Sequence, residues 1–182
     1  VLLSLCFLIL GLLWDQGSIS SSDRNQIGVV RLGNPMATDG KQQRALNVWD
    51  LQVFDGKVYL GGGDTTTNTG PMNVWAYNPR SKSFAKETTI AEEAILSFKL
   101  IDNQLYIPAA DPKDSDYSKF YRKEIAGEWQ QFSDRQIKLA HVRDLIKIES
   151  SLLLVGNSRP PKRPQEATPG ALVTNDRGAS FD

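Results

Sequence analysis

The sequence predicts an all-β fold made of consecutive antiparallel sheets. Three segments of the chain coincide at a shift of 47 residues, and they begin at Leu51, Phe98 and Leu145. In each segment two short apolar stretches flank a pair of polar or turn-forming residues, which is the pattern of a β-hairpin. The 182 residues are 40% hydrophobic and 23% charged, a composition typical of a globular protein.

The N-terminal stretch has a different character from the repeats. Residues 1–14 contain no charged side chain, and the chain becomes polar and rich in small residues from Asp15. This profile is typical of a secretory signal peptide, and we expect residues 1–20 to be removed by cleavage after Ser20. The apolar run is short for a membrane span, which needs about 20 residues, so an uncleaved membrane anchor is the alternative. Because the chain starts with Val and no basic residue precedes the run, we expect the sequence to be part of a longer one.

Charge and cysteine content narrow the classes of function. The 21 basic residues balance 21 acidic ones, which disfavours nucleic acid as a partner because its phosphates require a basic surface. The single cysteine, Cys6, lies in the N-terminal apolar run. Cleavage would therefore leave a chain without disulfides, thiol catalysis or zinc thiolate sites. We expect a secreted protein, extracellular or periplasmic, with membrane anchoring through the uncleaved N-terminal segment as the alternative.

Each repeated segment is predicted to form a strand, a two-residue turn and a second strand. The turns are Asp55-Gly56, Asp102-Asn103 and Glu149-Ser150, and the first two pairs favour a tight turn. Apolar residues recur at four matching positions around these turns: Leu51, Phe98 and Leu145; Phe54, Ile101 and Ile148; Val58, Leu105 and Leu152; Leu60, Ile107 and Leu154.

A third apolar run follows each hairpin, and a further turn with an aromatic residue follows that run. The runs begin at Asn73, Ser118 and Gly170, and the aromatic residues are Phe84, Trp129 and Phe181. Four short strands in a repeat of about 47 residues match a β-propeller blade. Residues 86–99 contain good helix formers, so a helix is the alternative there, but the register with the other copies favours strands.

Two short segments resemble known repeat families. Residues 58–84 look like a kelch repeat, with a strand that ends in Gly61, Gly62 and Gly63, a variable loop and a strand containing Trp75. Residues 174–181 are similar to the Asp-box, or BNR repeat, whose pattern is Ser/Thr-x-Asp-x-Gly-x-Ser/Thr-Trp/Phe. Its five defined positions hold Thr174, Asp176, Gly178, Ser180 and Phe181. In that family the motif implies a structural hairpin between the third and fourth strands of a blade rather than a catalytic site.

About three blades fit into residues 45–182, whereas closed propellers have roughly four to eight. We therefore expect further blades in the intact protein, since the third blade also lacks its fourth strand. Residues 21–44 are predicted to be a linker, within which residues 26–33 are a candidate strand. We expect this strand to complete the last blade of the closed ring.

The ligand site of such a fold is expected on one face of the ring. In a four-stranded meander, the loop between the second and third strands emerges on the same face as the connection between blades. We expect a glycan or protein ligand on this face. The candidate ligand-binding residues lie at matching positions near the start of the first strand in the first and third blades: Asn47, Asp50, His141, Arg143 and Asp144.

One loop on the same face gathers three carboxylates, at Asp111, Asp114 and Asp116. Oxygen ligands of this kind suit calcium, so these residues are the candidate metal site. The spacing matches no EF-hand loop and Lys113 lies among the acids, so a solvated acidic loop is the alternative. We expect no other cofactor.

The resemblance to Asp-box propellers raises one enzymatic alternative, because that group includes sialidases. Those exo-glycosidases use an arginine triad, a Tyr nucleophile paired with Glu, and an Asp acid/base. Residues 30–35 are a loose echo of the first arginine motif, and the sequence places none of the other groups. We therefore predict a non-catalytic binding or interaction module, with a sialidase-like glycosidase and a membrane-tethered scaffold as the alternatives.

Overall fold

A computed structural model describes residues 28–38, 47–64, 70–109, 111–112, 117–132, 137–158, 167–176 and 180. The chain divides into two compact units, Val1–Leu32 and Gly33–Asp182. Within the first unit the described residues, 28–32, have no regular secondary structure, and the expected signal peptide lies outside the described part. Across the described ranges, no helix is long and apolar enough to cross a membrane.

The second unit contains three antiparallel sheets, each formed by a continuous stretch of chain. Sheet 1 consists of β1 (Asn47–Phe54), β2 (Lys57–Gly63), β3 (Met72–Asn78) and β4 (Ser83–Ile90). Sheet 2 consists of β5 (Lys99–Ile101), β6 (Gln104–Pro108), β7 (Phe120–Glu124) and β8 (Trp129–Phe132). Sheet 3 consists of β9 (His141–Ile148), β10 (Ser151–Ser158) and β11 (Thr168–Thr174). Neighbouring strands follow chain order in every sheet, and a 3₁₀ turn over Pro35–Thr38 precedes them.

The predicted all-β architecture is confirmed, and residues 86–99 contain no helix. β4 continues to Ile90, an irregular segment follows, and β5 begins at Lys99. The first hairpin of each sheet turns at the predicted pair of residues. In each hairpin the last residue of the first strand pairs with the first residue of the second strand, so only the two predicted residues lie in the loop. Asp55, Asp102 and Glu149 begin these loops with φ of 47°, 49° and 54°, the left-handed conformation that tight hairpin turns favour.

Glycine allows the first two strands of sheets 1 and 3 to approach closely. A Cβ on Gly62 would lie 2.2 Å from the carbonyl oxygen of Asn47, and a Cβ on Gly156 would lie 1.9 Å from that of His141. Ala109 holds the matching position in sheet 2. β5 has only 3 residues, whereas β1 and β9 each have 8.

The first strands of sheets 1 and 3 also share a bulge. Trp49 in β1 and Arg143 in β9 are the extra residues that shift the strand register. The residue after each bulge is an aspartate, Asp50 or Asp144, whose carboxylate accepts a hydrogen bond from the next backbone N–H at 2.9 or 2.7 Å. This local bond fixes the direction in which the strand continues.

The hydrophobic core lies between the sheets, with sheet 2 in the middle. One face of sheet 2 packs against sheet 1, and the opposite face packs against sheet 3. All five residues of β6 are therefore buried, as expected for a strand covered on both sides. The side facing sheet 1 includes Leu105, Ile107 and Tyr121, and the side facing sheet 3 includes Tyr106 and Phe120.

The outward faces of sheets 1 and 3 each expose some apolar side chains. We call the outward face of sheet 1 the head face and the outward face of sheet 3 the tail face. Met36 of the 3₁₀ turn packs beside Gly62 at one end of the head face. The exposed apolar side chains are Leu51 and Val53 on the head face, and Ile146, Ile148, Val155 and Val173 on the tail face.

Backbone and ionic contacts join successive sheets. The N–H of Ile95 donates to the carbonyl of Gly62 at 2.8 Å, and 47 residues later the N–H of Val142 donates to the carbonyl of Ala109 at 3.1 Å. The first strands lie side by side, β1 next to β5 and β5 next to β9. Between sheets 1 and 2, the Glu87 carboxylate lies 2.6 Å from Nζ of Lys57 and 3.6 Å from Nζ of Lys123.

Candidate functional site

We use the term loop end for the edge of the sheets where each second strand finishes and the chain passes from one sheet to the next. At this edge the N–H of Glu93 donates to the carbonyl of Asp111 at 2.9 Å, and the N–H of Ala140 donates to that of Asn157 at 2.9 Å. These bonds fasten the connections between sheets to the loops that follow the second strands. The two kinds of loop therefore lie together, as the meander pattern predicts.

Three polar side chains meet at the loop end where sheets 2 and 3 join. His141 is the first residue of β9, and its Nε2 lies 3.1 Å from Oδ1 of Asp111. Its Nδ1 lies 3.1 Å from Nδ2 of Asn157, the residue directly across the strand pair on β10. A neutral imidazole protonated at Nε2 donates to Asp111 and accepts from Asn157, so one tautomer satisfies both contacts. We call Asp111, His141 and Asn157 the loop-end cluster.

The loop-end cluster combines a fixed interior with an accessible edge. The side chain of His141 is 12% exposed, whereas that of Asp111 is 36% exposed. The imidazole is held from both sides, and the carboxylate can meet a ligand from solvent. Carboxylate oxygens and an amide group of this kind bind hydroxyl or amide groups through hydrogen bonds. None of the three side chains is a hydroxyl or thiol nucleophile.

A buried carboxyl group lies beside the loop-end cluster. Glu92 forms a backbone bridge with Pro112, and its Oε1 accepts a hydrogen bond from the N–H of Lys119 at 3.3 Å. Its Oε2 has no hydrogen-bond partner among the described residues. Burial raises the pKa of Glu92 to about 8, and repulsion from Asp111 adds to this effect while Lys119 opposes it. The side chain is therefore mostly protonated at neutral pH.

Tyr121 packs on the same buried carboxyl group. Its hydroxyl oxygen accepts a hydrogen bond from the N–H of Ala91 at 3.1 Å. Burial raises the pKa of Tyr121, and the nearby charge of Glu92 raises it further. The phenol therefore stays neutral and anchors the connection between sheets 1 and 2.

Ser118 braces the loop end from below. It is fully buried, and its Oγ lies 2.8 Å from the carbonyl oxygen of Ala140 and 3.1 Å from that of Ala109. Its N–H also donates to the carbonyl of Leu139 at 2.8 Å. One residue between β6 and β7 thus holds the chain that leads into sheet 3.

The other predicted ligand-binding residues have different surroundings. Asp50 accepts a hydrogen bond from the N–H of Phe98 at 2.6 Å, and Asp144 lies 2.7 Å from Nζ of Lys99. Both carboxylates thus hold the chain where it enters sheet 2. Of the predicted five, only His141 belongs to the loop-end cluster; Asn47 and Arg143 are exposed on β1 and β9.

The predicted metal site is described only in part, because Asp114 and Asp116 lie outside the described residues. Asp111 is paired with His141. Where the structure describes the chain, no group of three or more His, Cys, Asp or Glu side chains is arranged to hold a metal ion.

The Asp-box segment forms a closed set of hydrogen bonds around Asp176. Oδ1 accepts from the hydroxyl of Thr174 at 2.6 Å and from the N–H of Ser180 at 2.8 Å. Oδ2 accepts from the hydroxyl of Ser180 at 2.6 Å. The carboxylate therefore ties the end of β11 to Ser180. The remaining motif positions, Gly178 and Phe181, lie outside the described residues.

Sequence reasoning missed Glu92 and Asn157. The 47-residue shift aligns Glu92 with Leu139, which is buried. A charged residue at a position that is apolar in the next copy is therefore the sequence signal for a buried carboxyl group. For Asn157, an unbroken hairpin register would place Ser158 opposite His141, and the bulge moves the pairing by one residue.

A scan against protein-family models finds no match for this chain, and a search of curated proteins finds none.

Proposed function

We propose that the three sheets are consecutive blades of a β-propeller of kelch-like and Asp-box character. The supporting observation is the sheet-to-sheet contact that recurs after 47 residues, from Ile95 to Gly62 and from Val142 to Ala109. The first strands also lie side by side in chain order, as expected when such strands line a common axis. The hydrogen bonds around Asp176 agree with the structural role that the Asp-box resemblance implies.

We further propose that the chain is a non-catalytic module that binds a glycan at the loop end. The carrying observation is the loop-end cluster, in which Asp111 and Asn157 hold both imidazole nitrogens of His141. Side chains fixed in this way lose little conformational freedom on binding, which lowers the entropic cost of forming a complex. Their carboxylate and amide groups can form hydrogen bonds with the hydroxyl groups of a glycan. Secretion of the module, with residues 1–20 as its signal peptide, belongs to the same proposal.

A glycan array probed with the full chain tests this proposal, followed by calorimetric titration of the best binder. We expect Asp111→Asn and His141→Ala to weaken binding at least about tenfold, or about 1.4 kcal/mol. The matched control is Asp55→Asn, at the hairpin end of sheet 1, where Asn-Gly suits the tight turn. Equal affinity in all variants, or no glycan binding, would refute the glycan proposal.

Two further measurements separate the alternatives. Turnover of a fluorogenic sialoside by the full chain would support the sialidase-like glycosidase instead of a binding module. N-terminal sequencing of secreted protein should begin near Ser21 if the signal peptide is cleaved. Retention of residues 1–20 in the membrane fraction would support the tethered scaffold.

A further inference from the structure

We propose that a cavity between sheets 2 and 3 binds a single neutral sugar ring. The cavity lies at the hairpin end, which is the edge opposite the loop end, where the first hairpin of each sheet turns. Its volume is about 200 Å³, and its lining includes Asp102, Gln104, Tyr106, Lys147, Ser150 and Leu152. Because the loop-end cluster lies beyond the other end of β6, this is a second site that does not depend on glycan binding at the loop end.

The cavity has a buried floor and an accessible rim. Gln104, Tyr106 and Leu152 form the floor, and they are 9%, 1% and 5% exposed. Asp102 and Lys147 stand at the rim, with side chains that are 58% and 38% exposed. A small molecule can therefore enter from solvent and bury most of its own surface, as ligands do in small-molecule sites.

Side chains occupy the corresponding place between sheets 1 and 2. Tyr59 lies 47 residues before Tyr106, and its hydroxyl donates to the Glu87 carboxylate at 3.2 Å. Lys123 of sheet 2 reaches across to the same carboxylate, with its Nζ 3.6 Å away. A carboxylate of one sheet and an ammonium of the next therefore close the first interface at the hairpin end.

A threonine in sheet 3 leaves this space open in the second interface. Lys123 pairs with Leu105 in sheet 2, and Thr174 pairs with Leu152, which follows Leu105 by 47 residues. Thr174 therefore holds the place of Lys123. Its hydroxyl donates to Asp176 at 2.6 Å. Because threonine is much shorter than lysine, the place of the lysine ammonium stays open beside the cavity floor.

The polar groups of the floor are oriented before a ligand arrives. The amide oxygen of Gln104 accepts from the Tyr106 hydroxyl at 2.7 Å, and its amide nitrogen donates to Glu124 at 3.0 Å. An amide nitrogen carries two hydrogens, so Gln104 keeps one N–H for a ligand. The hydroxyl of Ser150 adds a group at the exposed rim that can both donate and accept.

Charge and size indicate the class of ligand. The Asp102 carboxylate lies 2.6 Å from Nζ of Lys147, so these two charges of the lining balance and favour a neutral ligand. The pair offers acceptors and donors side by side, which suits neighbouring hydroxyl groups. Leu152 provides an apolar wall for the C–H groups of a ring. The cavity is smaller than the roughly 300 Å³ at which pockets for drug-sized ligands begin, which favours one sugar ring over an oligosaccharide.

Saturation-transfer difference NMR of the full chain tests the site with glucose, galactose, mannose and fucose as probes. We expect at least one of these sugars to bind with a Kd of about 1 mM or tighter. The methyl glycoside of that sugar distinguishes two sources of the ring. Unchanged binding would indicate the terminal residue of a glycan, and lost binding would indicate a free sugar. Absence of saturation transfer to all four sugars would overturn the proposal.

Two substitutions at the rim locate the bound sugar. Lys147→Met removes an ammonium and Ser150→Ala removes a hydroxyl, and we expect each to weaken binding about three- to tenfold. The matched control is Lys99→Met, because Lys99 also pairs with an aspartate between β5 and β9, Asp144, at 2.7 Å. This control should bind like the wild-type chain. Equal affinity in all three variants would contradict a site in the cavity.

The response to Asp111→Asn separates this site from the loop end. A sugar that is lost in Asp111→Asn but kept in Lys147→Met and Ser150→Ala binds at the loop end, and that result would overturn the second site. Binding that weakens only in the two rim variants would support it, even if the glycan array shows no binder. Melting temperatures near that of the wild-type chain should accompany each result, since exposed ion pairs contribute little to stability.

Discussion

Replacing Glu92 with Gln should change how the stability of the protein depends on pH. The carboxyl group is fully buried and one of its oxygens has no hydrogen-bond partner among the described residues. Its pKa is raised to about 8 from an ordinary value of 4.5. The folded protein therefore holds a proton on Glu92 that the unfolded chain releases in the same pH range.

The sign and size of the effect follow from that difference in pKa. The stability contributed by the protonated form is fully present below pH 4.5 and is lost as pH rises through about 8. Between these limits the free energy of unfolding should fall by up to about 1.4 kcal/mol per pH unit. Between about pH 5 and pH 8 the free energy of unfolding should fall by a total of the order of 3 kcal/mol. Glutamine is uncharged at every pH and should not show this loss.

Urea unfolding, followed by the fluorescence of the four tryptophans, measures the effect at several pH values from about 5 to 8.5. The advantage of Glu92→Gln over the wild-type chain should grow with pH, starting near zero in acid. Glu128→Gln, at an exposed carboxylate, serves as the control and should follow the wild-type profile. Parallel profiles for Glu92→Gln and the wild-type chain would show that the carboxyl group is ionised in the folded protein.

Three further substitutions test the packing within and between the sheets. Gly156→Ala adds a Cβ against the backbone carbonyl of His141 and should lower the free energy of unfolding by about 1–3 kcal/mol. Gly28→Ala is the control and should be neutral, because a Cβ there would have no atom within 4 Å. Equal melting temperatures for the two variants would contradict the close approach at Gly156. Ser118→Ala removes the hydroxyl that faces two carbonyls and should cost about 1–2 kcal/mol in chemical unfolding; a change below the error of the measurement would exclude a bracing role. Glu87→Gln leaves the ammonium of Lys123 without its carboxylate and should lower the free energy of unfolding by about 1–3 kcal/mol at low salt. An unchanged unfolding midpoint would argue against a stabilising ion pair.

Much of the fold could be predicted because local signals agree with one another. The turns at Asp55 and Asp102 combine turn-forming residues with apolar stretches of matched length, and the strands pair around them as predicted. The short β5 could not be predicted, since the repeat aligns it with strands of 8 residues in sheets 1 and 3 and periodicity does not report strand length.

The candidate site was less accessible to sequence reasoning. The repeat singles out His141, and the acidic residues near Asp111 along the chain predict a metal site there, but no sequence signal pairs Asp111 with His141. Its partner in the structure is an imidazole 30 residues away. Such a pair depends on which loop of one sheet meets the first strand of the next, and that information is carried by tertiary packing rather than by local pattern.

The bulges in β1 and β9 leave one side chain per strand outside the regular ladder. Trp49 fills this place in one sheet and Arg143 in another, although the two residues differ in size, charge and polarity. Substitution there costs the framework little, so chemistry displayed at this point can diversify while the architecture stays constant. The side chain at this position can therefore change from one sheet to the next without altering the strand pairing around it.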